Sequence, residues 1–146
     1  MRATRDVVVG VEPEELMAVI TAFSDYPEFL PHMKSARVLA ESKDAWEVAF
    51  TLEIVRRLDY TLRLRRSTMP DGRLRLDWSL VQGVFRSNEG SWTLEACAEG
   101  TRATYDIAIV LGMFVPRSIQ NTLSRSGLPT TLEAFKQRAE SSAPSG

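Results

Sequence analysis

Residues 114–140 read FVPRSIQNTLSRSGLPTTLEAFKQRAE, the only stretch with sustained helical periodicity after a long series of alternating segments. Val115, Ile119 and Leu123 recur every fourth residue and make one apolar stripe. Leu128, Leu132, Phe135 and Ala139 make a second, which at about 100° per residue falls nearly opposite the first on a straight helix. Pro116 suits a first helical turn, where its missing N–H costs nothing. Pro129 removes an i to i−4 bond and Gly127 tolerates unusual dihedrals. The stretch is therefore expected to kink near Gly127–Pro129, or to divide there into two abutting helices, so that both stripes can be covered.

What it must cover is a sheet. Val7, Val9 and Val11 occupy one side of a first strand spanning Arg5 to Val11. Pro13 opens a helix with Leu16, Ile20 and Phe23 on its apolar face, and Asp25 to Pro31 makes a second, very short helical turn bracketed by prolines. A looser alternation through Ala36, Val38 and Ala40 is followed by strict period two in Trp46, Val48, Phe50, Leu52 and Ile54. The pattern repeats in Leu58, Tyr60, Leu62 and Leu64, and after the turn signal Pro70-Asp71-Gly72 in Leu74, Leu76, Trp78 and Leu80. Trp92, Leu94 and Ala96 then pair through Glu99-Gly100 with Tyr105, Ile107, Ile109 and Leu111. One strand, two short helices, six strands and a long terminal helix predict an α+β domain with a curved seven-stranded antiparallel sheet, wet on one face.

The 146 residues suffice for one domain, expected over residues 1–140, with 141–146 as a disordered tail. The net charge of −1 predicts no global attraction to nucleic acid, and the lone Cys97 excludes an internal disulfide or a cysteine zinc cluster. Neither a basic and apolar leader nor an apolar run long enough to span a bilayer is read, so the expectation is a soluble, cytoplasmic protein. Absence of a P-loop, nucleophile elbow or dinucleotide fingerprint leads us to expect neither cofactor nor metal.

Asp25-Tyr26-Pro27-Glu28-Phe29-Leu30-Pro31 followed by Val38, then Leu80 to Phe85 leading to Gly90-Ser91-Trp92, and finally Leu132 to Glu140, resemble the START-like (SRPBCC) helix-grip superfamily, in its coenzyme-Q-binding and polyketide cyclase/dehydrase branch. Val84 stands where that branch usually carries proline. The resemblance covers about Arg5 to Glu140 and implies a seven-stranded sheet gripping a C-terminal helix, with a hydrophobic tunnel for a quinone, lipid or polyketide. Part of the resembling family is a bacterial toxin that blocks ribosomal subunit association.

A strongly curved sheet held against a single helix tends not to close, so the inward rows are candidate pocket wall as well as core. The first row supplies Trp46, Val48, Phe50 and Leu52, and the second Tyr60, Leu62 and Leu64. Leu76, Trp78, Leu80, Phe85 and Trp92 follow from later strands, with Ile119 and Leu123 from the terminal helix. Tyr60, Trp78 and Trp92 are the informative members, because their polar atoms need partners and can orient a ligand. Gly83, Val84 and Phe85, with Met113, Phe114 and Val115 opposite, are read as a seal on the core or as a pocket mouth making peripheral contact with a membrane.

Between Arg56 and Arg86 lie eight arginines against three acids, a local balance of +5 that leaves the remainder at −6. Arg63, Arg65, Arg73 and Arg75 share the outward phase and form either a solvated, ion-paired face or a surface for anionic lipid or ribosomal RNA. Carriage of a hydrophobic small molecule is the favoured expectation, since the inward rows lack acids, bases and cations. The alternatives are a polyketide aromatase/cyclase, with Tyr60, Arg66 or His32 as proton-handling groups, and a ribosome- or surface-binding protein acting through its arginines. An edge strand beside the first strand leaves the oligomeric state open.

Overall fold

The computed structural model describes residues 1–112, 115–123 and 127–142. Seven strands form one antiparallel sheet: β1 (Arg2–Val9), β2 (Met33–Glu41), β3 (Ala45–Ile54), β4 (Arg56–Thr68), β5 (Leu74–Gly83), β6 (Phe85–Cys97) and β7 (Gly100–Leu111). Their spatial order is β1-β7-β6-β5-β4-β3-β2. Strands β2 to β7 form a continuous meander. β1 lies at the opposite edge from β2, so the intervening helix α1 (Pro13–Thr21) and a 3-10 helix at Phe23–Glu28 carry the chain between the two edges. This is the α+β architecture expected from the alternation, in the helix-grip arrangement that the resemblance implies.

Period two decides the faces. Along β3, Val48, Phe50 and Ile54 are buried, and along β5, Leu74, Leu76 and Trp78 are buried while Ser79 is exposed. Burial does not follow the alternation strictly: Thr51, Thr61 and Ser91, on the outward phase, are also buried, and the Thr51 hydroxyl donates to the Asp59 carboxylate across the β3-β4 pair at 2.6 Å.

The terminal stretch divides into α2 (Arg117–Asn121) and α3 (Gly127–Ser142). Its opposite stripes are satisfied separately. Ile119 on α2 enters a small cluster with Ile54 and Leu58, whereas Leu132, Phe135 and Ala139 on α3 join the main core against the sheet. Gly127–Pro129 opens α3, so Pro129 lies in its first turn, where a missing N–H is harmless. α3 continues through Ser141 to Ser142, past the expected domain end, and residues 143–146 lie outside the described residues.

The far end of α3 is pinned by charge-assisted bonds. Lys136 Nζ donates to the Val8 carbonyl at 2.8 Å and to Glu140 at 2.7 Å, and Glu140 accepts the Gly10 N–H at 2.8 Å. Arg138 reaches Glu28 at 2.9 Å and Asp25 at 3.8 Å and stacks over Phe29. Asp25 and Glu28 thus serve as carboxylate partners of α3. The two lysine bonds to β1 and helix, with the arginine to the 3-10 turn, fix the angle at which α3 crosses the sheet.

Candidate functional site

Between the inner face of the sheet and α3 the packing leaves a cavity of about 250 Å³. Its sheet wall includes Phe50, Leu52, Tyr60, Leu62, Leu64, Leu76, Trp78, Phe85 and Trp92, and its helix wall includes Leu123, Leu128, Thr131 and Phe135. The exposed residues Pro31, His32 and Thr130 place the mouth between the loop before β2 and the first turn of α3.

Of the residues singled out as pocket wall, Phe50, Leu52, Tyr60, Leu62, Leu64, Leu76, Trp78, Phe85, Trp92 and Leu123 border this cavity. Trp46, Val48, Leu80 and Ile119 do not. Trp46 packs edge-on against Phe23 at 5.4 Å and donates its indole N–H to Glu41, which places it under the 3-10 turn. Val48 is fully buried in the main core, Leu80 packs against that core, and Ile119 is sequestered with Ile54 and Leu58.

The polar furniture of the cavity lies deeper than its mouth. Trp78 Nε1 donates to Asn88 Oδ1 at 3.2 Å. An indole N–H can only donate, so this bond fixes the orientation of the amide and turns the Asn88 NH2 away from Trp78. The Tyr60 and Tyr105 hydroxyls make no hydrogen bond within the described protein. Yet no buried side-chain nitrogen or oxygen among the described residues lacks a partner, so both hydroxyls are reachable from the cavity they line. Burial raises the pKa of both phenols, and for Tyr60 the neighbouring Tyr105 raises it further. They are neutral hydrogen-bonding groups throughout the physiological range. Tyr26 differs: its equally desolvated hydroxyl is committed to the Ile20 carbonyl.

Aromatic contacts hold these groups in place. Tyr60 stacks on Phe50 at 5.4 Å and meets Phe85 edge-on at 5.1 Å, while Tyr105 is wedged between Trp78 at 5.3 Å and Trp92 at 4.8 Å. Gly90 makes the second arrangement feasible. It sits opposite Trp78 in the β5-β6 register, and a Cβ there would lie 2.5 Å from the indole. Without one, the ring crosses β6 to reach Tyr105 on β7.

The proton-handling candidates are dispersed. Tyr60 is on the wall and His32 is at the exposed mouth with φ of 67°, its carbonyl accepting the Glu53 N–H. Arg66 is bonded to Glu14 on α1 at 2.7 Å and does not border the cavity. Asn88 and Tyr105 were not singled out by sequence, although the signal existed: Asn88 shares the phase of Trp92, and Tyr105 that of Ile107. Met113 and Phe114, expected at the mouth, lie outside the described residues.

The arginine face is largely paired. Arg57 meets Asp59, Arg63 meets Glu47, Arg73 meets Asp71 and Arg75 meets Asp77, all within 3.5 Å. Among the described residues no group of three or more His, Cys, Asp or Glu is placed to hold a metal ion, and no helix is long and apolar enough to cross a membrane.

A curved seven-stranded sheet around a terminal helix, enclosing an apolar cavity, defines the START-like class. The chain belongs to the family described as polyketide cyclase / dehydrase and lipid transport, whose model matches residues 9–136. Solved structures share the fold at low sequence identity. A STAR-related lipid transfer protein from Xanthomonas axonopodis superposes with a TM-score of 0.85 at 15% identity, covering 94% of this chain and 85% of its own. A START superfamily protein from Mycobacterium smegmatis gives 0.80 at 17%, covering 97% and 99%. Zhui aromatase/cyclase from Streptomyces sp. R1128 gives 0.80 at 14%, covering 96% and 93%. No curated protein matches the sequence.

Proposed function

We propose that the protein binds and carries a hydrophobic small molecule bearing carbonyl or hydroxyl groups, with its ring or chain against the aromatic wall and its polar atoms at Tyr60, Tyr105 and Asn88. The observation that carries this reading is the presence of uncommitted hydrogen-bonding groups in an otherwise oily cavity, the combination by which pockets orient ligands. At about 250 Å³ the cavity suits a quinone head group or a short folded polyketide segment better than a two-chain lipid. Fold and family membership are consistent with such a ligand.

Cyclisation of a polyketide is the second reading, favoured by the two neutral phenols as proton donors to a carbonyl. It lacks a placed base: the described cavity wall carries no carboxylate, lysine or arginine side chain, and its histidine lies at the mouth. The carrier is therefore the better account. An interaction through the arginines has less support, because most of their charge is neutralised in pairs.

A quinone and its carbonyl-free ring separate these readings. 2-Methyl-1,4-naphthoquinone is expected to quench the cavity tryptophans and 2-methylnaphthalene to bind less tightly. Tyr60→Phe, Tyr105→Phe and Asn88→Leu should each weaken the quinone about fivefold, one hydrogen bond's worth, and leave the hydrocarbon unchanged. Equal affinities for both probes in all variants would remove the proposed polar recognition. Turnover of a poly-β-ketone mimic would move the assignment to the cyclase.

A further inference from the structure

The turn between β3 and β4 is one residue long: Ile54 pairs with Arg56, and Val55 alone closes the hairpin. Val55 has φ of 65°, a conformation that a β-branched side chain disfavours, and it is 91% exposed. A strained backbone thus presents a bare isopropyl group to solvent. Just beneath it the second hydrophobic cluster, Ile54, Leu58 and Ile119, ties the hairpin to α2, with Val84 from the β5-β6 turn and Val115 packed around it. The tip is therefore supported from below.

Its surroundings are cationic. Lys34, Arg56, Arg57, Arg86 and Arg117 lie on the elements that meet at this pole, against the carboxylates of Glu53 and Asp59. That gives a local charge of +3 where the remainder of the chain carries −4. The cavity opens beside it, since Ile54, Leu123 and His32 line the cavity and the Glu53 N–H is bonded to the His32 carbonyl.

We infer that this pole docks on the surface of an anionic lipid bilayer, with Val55 entering the headgroup layer and the surrounding arginines on the phosphates, so that ligand passes between bilayer and cavity. One exposed valine is too small to anchor a protein interface, which buries roughly 800 Å² on each partner. An exposed apolar point on a pole of net positive charge matches an interfacial contact, where insertion and headgroup attraction add. The docking stands on the pole alone; only the passage of ligand rests on the carrier reading above.

Sedimentation with vesicles of phosphatidylcholine, with and without one quarter phosphatidylglycerol, tests this on the full chain. The protein is expected to pellet with the anionic vesicles and to be released by salt. Val55→Asp should lower partitioning at least tenfold, and Arg86→Gln with Arg117→Gln about fivefold for each charge. Val55→Gly, which relieves the backbone strain, should preserve the fold and still weaken binding, separating loss of contact from loss of structure. Failure of the wild type to pellet with anionic vesicles, or partitioning of both Val55 variants equal to wild type, overturns the inference. Quinone quenching measured without vesicles should be the same in Val55→Asp as in wild type, so failure of the cavity and failure of the docking surface are read independently.

Discussion

Gly90→Ala is the sharpest probe of how the cavity wall is held. The added Cβ would stand 2.3 Å from the Asp106 carbonyl oxygen and 2.5 and 2.9 Å from two carbons of the Trp78 ring. Carbon atoms in contact prefer about 3.5–4.0 Å, so the shortfall is about 1 Å on both sides. The carbonyl belongs to the β6-β7 ladder and cannot retreat without breaking it, so the indole must swing away. Trp78 then loses its bond to Asn88 and its packing on Tyr105. Overpacking costs about 1–3 kcal/mol and an unpaired buried indole N–H about 1–3 more, a destabilisation of about 2–6 kcal/mol. With a urea dependence near 2 kcal/mol per molar, the unfolding midpoint should fall by roughly 1–3 M, and near-UV circular dichroism should change. A midpoint within about 0.2 M of wild type with unaltered tryptophan spectra would refute the claim that Gly90 exists to let Trp78 cross the strand.

Leu58→Ala, at a fully buried site of the small cluster, should cost about 2–5 kcal/mol by urea unfolding while leaving the main core's tryptophan environment unchanged. The Glu140 carboxyl is held below its ordinary value by its bonds to Lys136 and the Gly10 N–H. It therefore contributes stability that is present above about pH 4.5 and lost as pH falls through its lowered value, less than about 1 kcal/mol for so exposed a group; Glu140→Gln should flatten that segment of a pH series of urea midpoints. Burial raises the pKa of all three tyrosines, Tyr26, Tyr60 and Tyr105. Their stabilising contribution is complete below about pH 10 and lost as pH rises beyond it, so absorbance at 295 nm should show no phenolate in the native protein at pH 10.5 and about three quarters of the full signal once urea unfolds it.

The alternation in β3 to β7 was readable because each strand has one wet face, and period two states which side chains turn inward. It does not state where along a strand the covering helix ends. Trp46 and Val48 share a phase with Phe50 and Leu52, but Trp46 packs on Phe23 of the 3-10 turn and Val48 lies in the main core, whereas Phe50 and Leu52 border the cavity. That division depends on where α1 and the turn dock, a long-range contact with no local signature. The division of the terminal stretch was legible for a similar reason to the strands: two opposed stripes cannot both be buried by one straight helix. Asn88 and Tyr105 were not legible as cavity residues because their placement depends on the cross-strand neighbours Trp78 and Trp92, and pairing register is invisible in a single sequence. Arg66 illustrates the reverse error, since its position beside the inward row says nothing of Glu14, which lies 52 residues earlier in the chain.

The pairing of β1 with β7 joins the first strand to the last, from Arg2 with Ala108 to Val9 with Thr101. During synthesis β1 must wait, unpartnered, until β7, about a hundred residues later, has left the ribosome, and closing so large a loop makes productive folding slow. Until then the meander's growing edge is open to a neighbouring nascent chain. Yield at high expression rates should therefore be governed by chaperone supply and translation speed more than by the stability of the finished molecule.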